Sequence, residues 1–159
     1  MSTTRPPGAM IRETWARLSP WPAGKWLFSM LFARLVPYSG SIHPLVHELS
    51  GGHCRVTMRD RPSLRNHLRS IHAVALMNLG ELSSGLALVC GLPDDTRAIL
   101  VGLSMEYLKK ARGTLEAACD FPVPAVTGRE ELELVVDIRD GAGDVVARAR
   151  AKWLVDRLV

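Results

Sequence analysis

The sequence predicts an α+β domain in which an antiparallel sheet curls around one long buried helix. The chain has 159 residues, of which 47% are hydrophobic and 23% charged, a composition that suits one globular domain with a core. Residues 73–90 are apolar in nearly every direction around a helix, and such a helix is buried on all sides. Beyond residue 98, apolar and polar residues alternate as they do in strands.

Two short helices are predicted before this core, over residues 9–18 and 23–36, with the breaker Ser19-Pro20-Trp21-Pro22 between them. The aromatic side chains are concentrated here: Trp15, Trp21, Trp26, Phe28 and Phe32. We expect this cluster to pack the helices onto the main body, the alternatives being an interfacial membrane anchor or a substrate lid. The chain is therefore divided into a helical extension, residues 1–40, and a main domain, residues 41–159.

Alternation with a period of two predicts a strand over residues 53–60, and residues 42–49 are its expected hairpin partner. Pro44 places that partner at a sheet edge or beside a bulge. A basic loop, residues 61–72, leads into the long helix, which ends at Gly91 and Pro93. Later strands are predicted over 99–107, 114–121, 132–138 and 147–153, and the last turns four side chains inward: Ala147, Ala149, Ala151 and Trp153. The predicted order is α-α-β-β-α-β-β-β-β.

Charge is unevenly distributed along the chain, whose net charge is +4. Up to residue 80 there are ten basic and three acidic side chains, and from residue 81 onward ten basic and thirteen acidic. A basic half attracts nucleic acid, an anionic membrane or a phosphorylated small molecule. No nucleic-acid-binding motif accompanies the charge, and the best candidate for a membrane span, residues 26–36, has about half of the ~20 residues required. We therefore expect neither nucleic acid nor a membrane span.

The cysteines and histidines indicate no metal site. Three cysteines lie far apart in the sequence without the spacing of a disulfide framework or a zinc ribbon, which predicts a reduced, cytoplasmic protein. His43, His47 and His53 lie close in sequence, but no carboxylate or cysteine stands at a recognisable ligand spacing from them. A structural role is expected for these histidines.

Glu81 lies in the middle of the apolar helix, where an unpaired carboxylate is costly and its pKa is expected to rise. One interpretation is that Glu81 faces a polar gap at the helix edge or pairs with an arginine from the basic loop. The other is that Glu81 is a general base or nucleophile held in a dry pocket.

The residues around Glu81 carry a family resemblance. Asn66 and His72 precede it by fifteen and nine positions (81 − 66 and 81 − 72). This arrangement resembles hotdog-fold thioesterases of the phenylacetic-acid-pathway type, whose site combines an Asn, a His-Gly-Gly at the helix start and an Asp or Glu within the helix. Residues 104–113 are similar to that family's long strand and Gly-terminated turn. The resemblance covers residues 42–154 and leaves the two N-terminal helices outside it.

The resemblance implies hydrolysis of an acyl-CoA, with coenzyme A entering as part of the substrate and no other cofactor. Glu81 would be base or nucleophile, Asn66 would position water or the carboxylate, His72 would shape the loop, and the Ala73 N–H would polarise the thioester carbonyl. Here His72-Ala73-Val74 replaces His-Gly-Gly, which leaves less room for the substrate. This departure favours the alternative of a non-catalytic acyl- or acyl-CoA-binding protein. A hotdog hydratase is a third alternative, but no paired acid and histidine motif supports it.

Helix geometry adds a constraint on the assembly. Eight residues separate Ala73 from Glu81, which is about 12 Å along a helix, so one chain cannot bring both to one thioester carbon. The sequence therefore predicts a homodimer or a dimer of dimers, as the resemblance also implies.

Further residues are candidates for binding the substrate. Asn78 lies on nearly the same helix face as Glu81 and either bonds inside the pocket or satisfies a backbone group. Five cations flank the proposed site, and about two of them are expected to contact coenzyme A phosphates. They are Arg65, Arg69, Lys109, Lys110 and Arg112.

Overall fold

The computed structural model of the chain describes residues 7–157. Its helices are α1 (Pro7–Leu18), α2 (Gly24–Leu35), α3 (Pro37–Gly40) and α4 (Ala73–Gly91). Three of them, α1, α2 and α4, agree with the sequence prediction to within two residues at each end. The single turn α3 is not predicted. Pro37 begins it because the fixed φ of proline suits the first turn of a helix, although it cannot continue the preceding one.

Six antiparallel strands form one sheet in the order β1-β2-β4-β5-β6-β3. They are β1 (Leu45–Ser50), β2 (His53–Met58), β3 (Thr96–Tyr107), β4 (Leu115–Asp120), β5 (Glu130–Arg139) and β6 (Val145–Arg157). α4 packs against all six strands, so the sheet curls around it. The predicted α+β hotdog fold is therefore confirmed.

The central helix α4 is built for close contact with the sheet. Leu79 and Leu88 are fully buried in the core. A Cβ on Gly80 would lie 2.6 Å from the Cβ of Ala149 in β6, so glycine permits this approach of helix and strand. By length and composition α4 could also cross a membrane, but most of it is buried within the fold, which is typical of a core helix.

Of the N-terminal helices, α1 packs onto α2 and α4 and α2 packs onto β1, and both share the core. Phe28 and Phe32 are buried in the main core, and the Trp15 ring meets Phe28 edge-on with centroids 5.0 Å apart. The Val46 N–H of β1 donates to the Ser29 Oγ at 2.9 Å, so α2 covers this edge of the sheet. The aromatic cluster is only partly buried, however, because Trp21 and Trp26 remain 70% and 58% exposed. The domain boundary at residue 40 stays a prediction.

Strand β3 lies at the other edge of the sheet and differs from the simple alternation in its sequence. Its pairing with β6 shifts between Leu100 and Gly102, which forms a bulge at Val101. Leu100 therefore packs against the core on one side of the bulge, and Leu103 on the other. Ile99 and Val101 are 53% and 49% exposed, so the apolar residues of this strand do not share one buried face.

Candidate active site

Hydrogen bonds hold the loop before α4 in a defined conformation. The Asp60 carboxylate accepts from the Arg65 Nε at 2.7 Å and from the Gly113 N–H at 3.0 Å. The Ile71 N–H donates to the Ala111 carbonyl at 2.8 Å. Because these bonds join the loop to the turn after β3, they bring two distant segments of the chain together where α4 begins.

Asn66 organises this loop through its side-chain oxygen. Its Oδ1 accepts from the backbone N–H groups of Leu68 (2.9 Å) and Ser70 (3.3 Å) and from the Ser70 hydroxyl (3.2 Å). Two backbone donors on one atom identify it as oxygen rather than nitrogen. All hydrogen bonds of this side chain within residues 7–157 use Oδ1, so the amide Nδ2 is the group left to meet a ligand.

His72 is the N-cap of α4 and leaves one backbone donor for other use. The Val74 N–H donates to the His72 Nδ1 at 3.1 Å, which requires that Nδ1 carry no proton. The N–H groups of Ala75 and Leu76 both donate to the His72 carbonyl. In the described part of the chain, the Ala73 N–H has no acceptor. This N–H group is therefore a hydrogen-bond donor at the positive end of the helix dipole.

A pocket of about 380 Å³ opens beside this helix start. It brings together four of the sequence-predicted site residues: Asn66, Ala73, Lys109 and Lys110. Ser70, Ile71 and Leu76 complete its inner wall. His72 and Glu81 do not line it, so the pocket of one chain contains the helix N-terminus and the loop amide but not the predicted acid.

Tyr107 is a lining residue that the sequence reasoning missed. Its hydroxyl donates to the Ala73 carbonyl at 3.3 Å, and burial raises the pKa of this phenol. The phenol therefore stays protonated at neutral pH, and its hydrogen bond holds the Ala73–Val74 peptide group in the first turn of α4. The available signal was its position in residues 104–113, the segment that resembles the strand and turn of the family.

Glu81 lies in the third turn of α4 and is half-buried. Burial raises the pKa of its carboxyl group, and the carboxylate has no hydrogen bond or ion pair with any residue from 7 to 157. Gly85 follows one turn later. A Cβ there would lie 3.1 Å from the Trp153 ring and 3.9 Å from the Glu81 Oε1, so glycine leaves this side of the carboxylate open.

The backbone at Glu81 is tied to the sheet through a short chain of hydrogen bonds. The Ser84 hydroxyl donates to the Glu81 carbonyl at 2.9 Å and accepts from the Trp153 Nε1 at 3.2 Å. All of these groups belong to α4 and β6. The Glu81 side chain therefore projects from a well-supported backbone.

Asn78 faces α3. Its Nδ2 donates to the Tyr38 carbonyl at 3.0 Å, and it does not line the pocket beside Ala73. Its Oδ1 is buried and has no hydrogen-bond partner among the residues described. In this contact Asn78 satisfies a backbone carbonyl group, which is one of the two roles predicted for it.

The five predicted phosphate-binding cations are not equivalent. Arg65 forms an ion pair with Asp60 at 2.7 Å. Lys109 lies between Asp140 (2.8 Å) and Asp144 (2.7 Å), and these carboxylates raise its pKa to about 12. The other three are exposed and form no ion pair within residues 7–157: Arg69, Lys110 and Arg112.

Comparison with protein families gives one match. The model of a family described as a domain of unknown function (DUF4442) matches residues 24–155, which is most of the chain. The matched region begins within α2 and includes the candidate site. A search of curated proteins finds no match to this chain.

Several solved structures are similar over most of their length. The structural genomics protein APC5556 is 30% identical, with a TM-score of 0.81, and the match covers 94% of this chain and 99% of that one. A Pseudomonas aeruginosa protein of unknown function, described as a probable thioesterase, is 20% identical with a TM-score of 0.74, over 86% and 97%. A phenylacetic acid degradation-related protein from Ralstonia eutropha is 14% identical with a TM-score of 0.64, over 74% and 89%. The predicted resemblance in fold is thereby confirmed.

Proposed function

Because the chain belongs to the DUF4442 family and has the hotdog fold, we propose that it is an acyl-CoA thioesterase. One observation carries the proposal. Within residues 7–157, α4 holds a half-buried carboxylate without a partner, Glu81, and begins at a pocket with a backbone donor without an acceptor, Ala73. A carboxylate of raised pKa can act as base or nucleophile and a backbone N–H can stabilise an oxyanion, and together they can hydrolyse a thioester. Similarity in fold to proteins described as thioesterases supports this assignment.

In the proposed mechanism, the Ala73 N–H donates to the thioester carbonyl oxygen and stabilises the negative charge that develops there. Glu81 either takes a proton from the water that attacks the carbonyl carbon or attacks that carbon itself, giving a mixed anhydride that water then cleaves. In both routes the carbon–sulfur bond breaks and the thiolate of coenzyme A leaves with its electron pair. Water supplies the hydroxyl oxygen of the acid, and its proton passes to the thiolate.

Two neighbouring groups assist by position. The Asn66 Nδ2, left available by the loop, orients the water or the carboxylate. His72 keeps the first turn of α4 in place through its bond to the Val74 N–H, so that the Ala73 N–H stays aimed at the pocket. Their contribution is to hold the reacting groups in a productive arrangement.

Coenzyme A phosphates require cations that are not already engaged. Lys110 lines the pocket and has no ion pair within the described residues, and Arg69 and Arg112 flank the same loop and turn. We assign phosphate binding to these three rather than to Arg65 and Lys109, whose charges are balanced by neighbouring carboxylates.

The active unit is a homodimer or a dimer of dimers. Ala73 and Glu81 both belong to α4 and are eight residues apart, about 12 Å along the axis. A single chain cannot apply both groups to one carbonyl carbon. Each site therefore takes Asn66, His72 and the Ala73 N–H from one chain and Glu81 from the other.

A thiol-release assay over short, medium, long and aromatic acyl-CoAs tests the proposal. We expect Glu81→Gln to reduce kcat by about 10²- to 10⁴-fold on the best substrate, as is typical for loss of a general base. The matched control is Glu131→Gln, which neutralises an exposed carboxylate of β5 that has no ion pair in the described residues. No release above background by the wild-type protein, or equal rates for wild type and Glu81→Gln, would contradict the assignment.

One observation favours a second function, the binding of acyl-CoA without turnover. Ala73 places a methyl group where the related thioesterases have glycine, and this narrows the approach of a carbonyl to the helix start. Calorimetric titration with a CoA ester separates the two functions. Saturable binding to an ester that stays intact would support the binding protein, and release of thiol during the titration would support the hydrolase.

A further inference from the structure

A second concave site lies between the outer face of α2 and the first hairpin. This groove has a volume of about 750 Å³, twice that of the pocket beside Ala73, and the two sites share no lining residue. Its volume falls in the range that accommodates small organic ligands. Six side chains define its character: Trp26, Met30, Leu45, Arg34, Arg59 and Arg61.

The three arginines of the groove come from different segments, α2, the end of β2 and the following loop, and none forms an ion pair within residues 7–157. Eight other arginines do: Arg12, Arg55, Arg65, Arg97, Arg139, Arg148, Arg150 and Arg157. Among the described residues, no Asp or Glu lines the groove. Like charges gathered without a counter-charge repel each other, so the groove is suited to an anion.

The Arg61 guanidinium is only partly hydrogen-bonded within the described residues. One terminal nitrogen donates to the Ser41 carbonyl at 3.2 Å, while the buried Nε has no hydrogen-bond partner in the described part of the chain. A buried donor without an acceptor lowers stability, and guanidinium groups pair well with carboxylate and phosphate oxygens. The second terminal nitrogen, Nη1, has no hydrogen bond within residues 7–157, and it is the atom of this guanidinium left to bind an anion.

Part of the groove wall is apolar. Trp26 and Met30 are one turn apart on α2, Leu45 lies across from them at the start of β1, and Trp26 is 58% exposed. An inorganic anion would leave this wall in water, whereas a hydrocarbon chain would cover it. We infer that the groove binds an amphiphile with one apolar chain and an anionic head, either a carboxylate or a phosphate, with the head at the arginines and the chain along this wall.

Calorimetry with the full chain and monomeric ligands tests the inference. The probes are laurate, a lysophosphatidic acid with a twelve-carbon chain, dodecyl maltoside as a neutral amphiphile and inorganic phosphate. We expect saturable binding of one molecule per chain for laurate, the lysophosphatidic acid or both, and the comparison identifies the head group. Arg59→Gln and Arg61→Gln should each weaken binding by about tenfold or more.

The control variant is Arg129→Gln, which removes an exposed arginine that lies outside the groove and has no ion pair in the residues described. A second measurement keeps the test valid if affinity is hard to measure: without ligand and at low salt, Arg59→Gln should raise Tm because it relieves repulsion in the groove. Four results would overturn the inference: no saturable binding of either anionic amphiphile, equal binding of the maltoside, equal binding of phosphate alone, or equal loss in the control. Thiol release plays no part in these measurements, so failure here leaves the proposed hydrolase intact.

Discussion

Ala73→Pro removes one hydrogen-bond donor from the candidate site while preserving the fold. Ala73 is the first residue of α4, a position where proline is favoured because the backbone N–H has no partner within the helix. The preceding residue must be extended, and His72 has φ −63° and ψ 140°, which a following proline accepts. The fold should therefore tolerate this change, and only the donor is lost.

The expected effects on rate and stability are opposite in sign. Loss of one oxyanion donor typically costs about 10²- to 10³-fold in kcat, or about 2.7–4 kcal/mol in the activation free energy. A proline at a compatible position stabilises the fold by about 0.4–1 kcal/mol, because it restricts the unfolded chain. Rates come from thiol release and stability from urea denaturation of the same preparation.

Ala73→Gly is the matched control, because it keeps the N–H and restores the glycine found in the related thioesterases. We expect it to retain the wild-type rate on small acyl groups and to exceed it on bulky ones, where the methyl group obstructs the carbonyl. Wild-type turnover by Ala73→Pro would refute the oxyanion role. Equal losses in the proline and glycine variants would show that shape rather than the donor is what matters at this position.

Three further changes test the energetics. Burial raises the pKa of Glu81 above its ordinary value of 4.5, so the folded state binds this proton more tightly than the unfolded chain, and stability falls as pH rises through that region. Glu81→Gln should therefore raise Tm at neutral pH and lose this gain in acid. A Tm difference that does not depend on pH would contradict this. Lys109→Met leaves Asp140 and Asp144 without their cation and should lower Tm, less so at high salt; a salt-independent loss would argue against a charge effect. Leu79→Ala empties a fully buried site and should cost about 2–5 kcal/mol in urea denaturation, against less than about 0.5 kcal/mol for exposed Leu68→Ala.

Elements with a clear pattern of apolar residues could be predicted from the sequence. The helix predicted over residues 73–90 is α4, since a segment apolar on every face has no stable exposed orientation. β6 buries Ala147 and Trp153 as its alternation indicates, because one face of that strand meets α4 throughout. The candidate site was predictable to the extent that Asn66 and Ala73 meet in one pocket.

Features that depend on partners distant in sequence could not be predicted. Val101 is exposed because of a bulge whose position is set by the register with β6. The alternation of residues within β3 does not indicate this bulge. Lys109 is engaged by carboxylates 31 and 35 residues away, so its sequence position beside the site suggested a free charge that the fold neutralises. The groove arginines are the reverse case: most other described arginines form an ion pair with an acid, whereas Arg34, Arg59 and Arg61 form none within residues 7–157.

The two-chain site makes a prediction that a one-chain site does not. In a symmetric dimer of the proposed kind, each site combines the Ala73 N–H of one chain with Glu81 of the other. Ala73→Pro and Glu81→Gln should each retain about 1% or less of the wild-type rate alone. A mixed dimer, however, pairs the intact Ala73 of the glutamine variant with the intact Glu81 of the proline variant, which restores one of its two sites.

Random exchange of equal amounts of the two variants makes half of the dimers mixed, so activity should recover to about a quarter of the wild-type rate. The assay unfolds and refolds the variants together and compares thiol release with that of each variant refolded separately. Refolded wild type serves as the reference for yield. If both groups acted from one chain, no mixture could restore a site, and the mixed sample would be as inactive as its components. Recovery therefore discriminates between the two arrangements without requiring knowledge of the natural acyl group.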